Sequence, residues 1–247
     1  AQALVEQERV RKELELARQI QESLLPAAAP ATFPVHGLNI PAREVSGDFF
    51  DYFSVDDGRI YFSLADVSGK GMNAALLMAK TTSLLRCLAK TASGPAELLD
   101  QVNAEICETA SLGMFVTIVA GYFYPDTGIV ELSNAGHQPP VRFRADGSYE
   151  EIWANAPPIG ILPDLQFDSD RFELDKGSLY IFTDGVTESI APDGSELGVN
   201  GLCEIVANVS SYNSQHRLEE IVAHIDRQER KIHDDLTLLL IEINAHV

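Results

Sequence analysis

The chain has 247 residues, 45% of them hydrophobic, with 37 acidic against 18 basic side chains and a formal net charge of -19. That length holds one sizeable domain, or one domain with an appendage. The acidity argues against a nucleic-acid partner, whose phosphates call for a basic groove, and no apolar run reaches the roughly 18–20 residues that span a bilayer.

The chain opens on a polar, charged stretch, AQALVEQERVRKELELARQ, with neither an initiator Met nor a secretory leader. We read it as a cytoplasmic segment of a longer protein, with room for a sensor region and a membrane anchor upstream. Residues 1–25 are expected to form one helix. Ala3, Gln7, Val10, Leu14, Ala17, Gln21 and Leu24 follow a 4-3 spacing, a coiled-coil seam with two polar positions, widened by Leu16 and Ile20. Two readings stay open for this helix: packing on its own domain, or dimerising and carrying a signal. Pro26 stops it, and LLPAAAPATFP runs on as an extended linker. The expected organisation is a helical linker, 1–25, and one domain, 26–247.

From about residue 36 the pattern mixes strands and helices. GLNIPARE, DFFDYFS and RIYFSLADV read as strands. Helices follow at about 71–91 and, opened by Gly94-Pro95, at about 95–110. MFVTIVAGYFY, the turn Pro125-Asp126-Thr127-Gly128, IVELSNAG, PPVRFRADG, RFELD and SLYIFTDG make a strand-rich stretch. Helices at about 198–210 and 216–229 precede a last strand, LTLLLIEI. Short turns between strands imply antiparallel sheets, and helices arriving in pairs imply helix layers outside a β-sandwich. The expected fold is therefore α+β, a four-layer α-β-β-α sandwich preceded by an N-terminal helix. Phe143, Trp153 and Phe172 read as packing aromatics. Cys87, Cys107 and Cys203 read as reduced, mostly buried thiols, since no CxxC or Cys/His spacing suggests zinc.

The stretch LADVSGKGMNAALLMAK could be a phosphate-binding loop or a metal site. A P-loop needs Gly, four residues, then Gly-Lys-Ser/Thr. Here Leu64 stands in the first position and Gly71 in the last, so that reading fails. The metal reading is supported by recurrence. Asp66 ends one apolar strand and Asp184 another, Asp48 opens a third, and Asp234 and Asp235 immediately precede the last. Any one Asp-Gly after a strand is ordinarily a turn. Several carboxylates converging at strand ends repel one another unless cations intervene. Oxygen ligands without Cys or His select hard ions such as Mg²⁺ or Mn²⁺.

PAREVSGDFFDYF, LADVSGKGMNAALLMA, NAGHQPPVRF, PPIGIL, LYIFTDGVTES and DDLTLLLIEI, in that order, resemble the successive motifs of metal-dependent serine/threonine protein phosphatases. The resemblance is to the type 2C (PPM) family and in particular to its bacterial SpoIIE-like branch. ELARQIQESLLP is similar to the helical linker that joins such domains to upstream sensors. The likeness runs from about residue 12 onward and implies an α-β-β-α sandwich and two Mn²⁺ or Mg²⁺ ions. It implies that Asp66 bridges the ions, that the Val67 carbonyl completes one site and that Asp48 serves the second ion. Asp184, with Asp234 or Asp235, would hold the first. Asp234 is favoured, because Asp235 falls where many relatives carry Asn. A metal-activated water would attack the phosphomonoester without a phosphoenzyme. Arg43 would contact substrate phosphate, a bidentate task that suits a guanidinium. Gly47 departs from eukaryotic relatives, which are acidic there, and leaves the second ion fewer ligands. The implied substrate is phosphoserine or phosphothreonine on a small regulatory protein, an anti-sigma-factor antagonist or STAS-type switch protein. The implied setting is bacterial partner switching, with residues 1–25 as joint to a sensor and as homodimer contact.

Two other readings compete. A class III nucleotide cyclase has a strand end like SLADVSG and follows helical linkers. Its Gly-Asp hairpin comes after the first Asp motif, however, whereas Ser46-Gly47-Asp48 precedes Asp66. A pseudophosphatase that only binds its partner would lack metal aspartates, and none of the matched ones is missing. His137 reads either as a proton donor to the leaving oxygen or as a turn residue with Asn134 and Gly136. Lys70 reads as a phosphate contact or a solvated turn residue, and SIAPDGSELG, 189–198, as a mobile flap.

Overall fold

The computed structural model describes residues 2–109 and 113–243. A long helix, α1 (Gln2–Leu24), leads to strands β1 (Val35–Ile40), β2 (Phe49–Ser54) and β3 (Ile60–Val67). Helices α2 (Met72–Leu88) and α3 (Pro95–Thr109) follow, then β4 (Val116–Tyr124), β5 (Ile129–Ala135), β6 (Val141–Phe143), β7 (Tyr149–Glu151), β8 (Asp170–Glu173) and β9 (Ser178–Phe182). The single turn α4 (Asp184–Thr187), helices α5 (Gly198–Val209) and α6 (Ser214–Arg227), and β10 (Leu236–Glu242) complete the order. The strands form two antiparallel sheets, β1-β10-β9-β6-β7 and β2-β3-β4-β5-β8.

Both sheets are buried on both faces, which explains why their central strands read as nearly continuous apolar runs. In LTLLLIE the alternation still sorts the side chains. Leu238 and Leu240 pack against Ile205, Val206, Leu218 and Ile221 of α5 and α6. Leu239 and Ile241 turn the other way, into the layer shared with Phe62, Leu64 and Val119 of the second sheet. On the outer face of that sheet, Tyr61, Val116 and Ile118 meet Met78 and Leu85 of α2 and Leu98, Val102 and Ile106 of α3. These three apolar layers make the expected α-β-β-α sandwich.

Departures from the expected elements have local causes. β1 stops at Ile40 because Pro41 has no N–H for the ladder. β7 escapes the pattern because YEE is short and polar, held as a strand only by pairing with β6. Trp153 is not a packing residue: it is 70% exposed on the connection after β7. Of the cysteines only Cys203 is buried, while Cys107 is half-buried and Cys87 exposed. The segment 189–198 is tied down by bridges from Ile190 to Glu196 and Lys231, and by Arg230, whose Nη1 donates to the Ser189 and Ser195 carbonyls. Leu16 and Ile20 face solvent, Gln21 is buried against the domain, and Leu24 packs on the α2–α3 layer. The side chains of Ala3, Gln7 and Val10 lie outside the described residues.

One ion pair clamps α2 to the sheet beneath it. Asp51 of β2 is buried, and Arg86 meets its two oxygens at 2.6 and 2.8 Å. Burial raises the Asp51 carboxyl, while the bonds from Arg86 draw it back. Removing the guanidinium leaves a buried charge uncompensated. Its own 45% exposure puts the expected cost of Arg86→Ala at about 2–3 kcal/mol, below that of a fully buried pair. The readout is the urea midpoint, and a loss under about 0.5 kcal/mol, the scale of an unremarkable surface change, would mean that the pair is no clamp.

Candidate active site

The antiparallel order brings the singled-out aspartates to one end of both sheets. β2 begins where β3 ends, with Phe49 opposite Ala65, and β10 begins where β9 ends, with Leu238 opposite Phe182. Asp48, Asp66, Asp184, Asp234 and Asp235 therefore gather from four strand ends. Asp66, Asp234 and Asp235 line a small cleft with Arg43, Gly47, Val67 and Lys70. Asp48 lies deeper, 4% exposed.

The carboxylates are held in different ways. Asp48 Oδ2 accepts from the Thr183 and Thr237 hydroxyls, both at 2.7 Å, and Asn39 Nδ2 donates to Thr237 Oγ1 at 2.7 Å. Thus the first sheet grips an aspartate that belongs to the edge of the second. Both oxygens of Asp235 are engaged: Oδ1 accepts from Ala42 N–H at 2.8 Å, and Oδ2 from Ser46 Oγ at 2.8 Å and Gly47 N–H at 2.9 Å. It pins the loop that carries Asp48. Ser46 in turn exchanges two bonds with the Gln21 amide of α1, at 2.8 and 3.0 Å. Asp234 is half-exposed and pairs with Lys70 Nζ at 2.7 Å, so Lys70 is neither free nor merely a turn residue. Arg43 is exposed at the cleft.

Crowded acids resist ionising. Burial, then the neighbouring Asp184, pushes Asp66 up to about 7. Burial, then Asp66, raises Asp48 well above the usual carboxylate range, against the pull of its two threonine bonds. Burial, then Asp234, raises Asp184. Among the described residues no three Asp, Glu, His or Cys side chains close into a ready-made ligand cage. The donor set nevertheless fits a hard ion that takes one or two carboxylates and keeps its waters. Space is left for one: a Cβ on Gly47 would stand 3.1 Å from the Val67 carbonyl oxygen and 3.4 Å from Asp66 Oδ1. A side chain there would fill the ground between those oxygens.

Sequence reasoning missed Thr183, Thr237 and Asn39. The signal was present for the two threonines, each one or two residues from a strand-end aspartate in TDG and DDLT. Asn39 becomes visible only through strand pairing, opposite Thr237.

A carboxyl raised on folding keeps its proton after the unfolded chain has lost it, so its stabilisation is present below about pH 4 and lost as pH rises to about 7. In EDTA, the wild-type melting temperature is expected to fall more between about pH 5 and about pH 8 than that of Asp66→Asn, which has no such proton to lose. Parallel curves would contradict the crowding.

The family model described as stage II sporulation protein E (SpoIIE) matches residues 56–244. Among curated relatives, Protein IcfG of Synechocystis sp. is 30% identical over 95% of this chain and 42% of its own length. Phosphoserine phosphatase RsbU of Bacillus subtilis is 27% identical over 95% of this chain and 71% of its own. The chain thus spans less than half of the first relative. Among solved structures, the SiaA-PP2C domain of Pseudomonas aeruginosa superposes with a TM-score of 0.83 at 20% identity, covering 96% of this chain and 98% of that one. RsbX in complex with magnesium gives 0.63 at 18% identity, covering 84% and 92%. These likenesses carry the fold, two sheets between helix layers. A family model matched over most of the chain carries more, and on that ground the chain belongs to the SpoIIE family.

Proposed function

We propose that this domain is a metal-dependent protein serine/threonine phosphatase that uses two Mn²⁺ or Mg²⁺ ions. The observation that carries the proposal is the gathering of oxygen donors at one end of both sheets, with Arg43 and Lys70 beside them. The fit of Gly47 against Val67 and Asp66, the RsbU name and the magnesium complex of RsbX support it. Asp66 would stand between the two ions, with Asp48 and the Val67 carbonyl on one side and Asp184 and Asp234 on the other. Asp235, its oxygens spent on Ala42, Ser46 and Gly47, acts as a structural residue rather than a ligand. Bound there, the ions supply an activated water and offset charge on the phosphate.

The chain's own groups do the rest. The threonine hydroxyls hold Asp48 in one orientation, and Asp235 keeps the loop before it closed. Arg43 offers a planar fork to two phosphate oxygens. Lys70 neutralises Asp234 at the cleft wall, where its ammonium would also be within reach of an anionic substrate. The substrate we favour is a phosphoserine or phosphothreonine on a STAS-type switch protein or anti-sigma-factor antagonist. The N-terminal helix would join the domain to an upstream sensor, and its solvent-facing Leu16 and Ile20 are the surface we assign to a homodimer contact. The cyclase reading has no support in the family match, and a binding-only role leaves the gathered carboxylates without a purpose.

Hydrolysis of p-nitrophenyl phosphate and of a phosphoserine peptide, in Mn²⁺ and in EDTA, tests the proposal. Asp66→Asn and Asp234→Asn are each expected to lower turnover by about 100-fold or more, the scale of losing an electrostatic group that acts in the transition state. Arg43→Ala is expected to lower kcat/KM for the peptide by about 10-fold or more with Mn²⁺ affinity unchanged, since it removes a charge-assisted contact to phosphate alone. Turnover that persists in EDTA would overturn the metal reading, and an Arg43→Ala protein with weakened Mn²⁺ binding would remove Arg43 from the phosphate.

A further inference from the structure

His137 is buried between Thr117 of β4 in one sheet and Phe182 of β9 in the other, and the motif around it places the ring there. Gly136 has a φ of +65°, and a Cβ on it would run into the Pro158 ring at 2.5 Å, so the turn requires glycine. Asn134 closes the same turn: its Oδ1 accepts from the His137 N–H at 2.9 Å and its Nδ2 donates to the His137 carbonyl at 3.3 Å. The imidazole is buried and has a partner at each nitrogen. Nε2 is 3.1 Å from the Phe182 carbonyl oxygen, and Nδ1 is 2.9 Å from Thr117 Oγ1.

These two partners are neighbours of two different aspartates. Thr117 is the register partner of Asp66 across β3 and β4. Phe182 ends β9, two residues before Asp184. The Phe182 carbonyl also has a vacancy that His137 fills. Thr183 N–H bonds to Thr237 on the β10 side, so Phe182 turns its backbone groups toward β6. Continuing the β6–β9 register two residues beyond Val141 and Tyr180 puts Pro139 opposite Phe182, and proline has no N–H to give. The ladder ends there, and the imidazole supplies the donor that the backbone lacks.

We infer that His137 is a positioning residue: it ties β4 beside Asp66 to β9 beside Asp184 and so sets the spacing of the two aspartates across the sheet seam. A carbonyl only accepts, so Nε2 carries a proton. In the neutral ring Nδ1 then accepts from the Thr117 hydroxyl at 2.9 Å, in preference to the Asp66 carbonyl, which lies 3.4 Å from the same oxygen. Burial favours this neutral ring, holding the imidazolium pKa down at about 4, which suits a tie more than a proton donor to a leaving group. The inference rests on the metal reading of the proposed function, since the spacing matters for ions held between the two aspartates.

The test is calorimetric titration of Mn²⁺ into the purified chain as wild type, His137→Phe, Thr117→Val and Thr117→Ser. His137→Phe and Thr117→Val are expected to bind Mn²⁺ about 10-fold or more weakly, as losing an outer support of a metal site does. Thr117→Ser, which keeps the hydroxyl, should recover most of that loss. Turnover in the weakened variants should climb back toward wild type at saturating Mn²⁺, with a pH–rate profile of unchanged shape. In EDTA, nitrogen-15 spectra should show a neutral His137 protonated at Nε2. If His137→Phe does not fold, Thr117→Val decides, because it removes one hydroxyl and keeps the shape. Wild-type Mn²⁺ affinity in Thr117→Val overturns the inference, as does a His137→Phe profile that loses its alkaline limb at unchanged affinity. A wild type that binds no Mn²⁺ overturns the metal reading and this inference together, whereas binding that is equal in all four proteins overturns this inference alone.

Discussion

Mutual repulsion of buried carboxylates is the constraint that the rest of this structure answers. Asp48, Asp66 and Asp184 all have raised pKa values because burial first, and then a neighbouring carboxylate (Asp66, Asp184 and Asp234 respectively), opposes ionisation. Left to themselves, such groups would move apart or into water. They are kept in place by bonds that cross from one sheet to the other. Thr183 and Thr237 of the first sheet grip Asp48 at the edge of the second, and Asp235 at the head of β10 grips the loop before β2. His137 makes a third crossing behind them. A polar seam of this kind is stable only when each member is satisfied, and here the hydroxyls, the amide and the imidazole all have partners.

The surrounding apolar layers make that seam affordable in stability. Three separate hydrophobic clusters, one between the sheets and one under each helix pair, fix the sheets against each other far from the cleft. The strand ends can then carry groups that would not fold together unaided. The last turn of α1 enters this arrangement at Ser46, two residues from Asp48, through the buried Gln21 amide.

Strands and helices were legible in the sequence where apolar pattern and turn chemistry agreed. The paired helices and the closing strand followed from apolar pattern, because each segment is long enough for its own burial to dominate, and the antiparallel order followed from the short turns between strands. β7 and α4 were not legible, being a polar three-residue strand and a single turn whose existence depends on neighbours. Trp153 misled because an aromatic residue reads as core by type alone, whereas the connection after β7 leaves it in solvent. The strand-end aspartates could be picked out from recurrence. Between Asp234 and Asp235, adjacent and chemically identical, the resemblance alone favoured Asp234; what the structure adds is that Asp235 accepts from Ala42, Ser46 and Gly47, whereas Asp234 pairs with Lys70. The tie through His137 joins residues 117, 137 and 182, and spacing along the chain carries no trace of it.

The most direct measurement of the central claim is anomalous diffraction at the manganese edge from crystals grown in Mn²⁺. The account predicts two peaks at the sheet ends, one on either side of Asp66, reached by Asp48 and Val67 on one side and by Asp184 and Asp234 on the other, with Asp235 bound only to its loop. Peaks elsewhere, or none at a Mn²⁺ concentration that supports turnover, would contradict it.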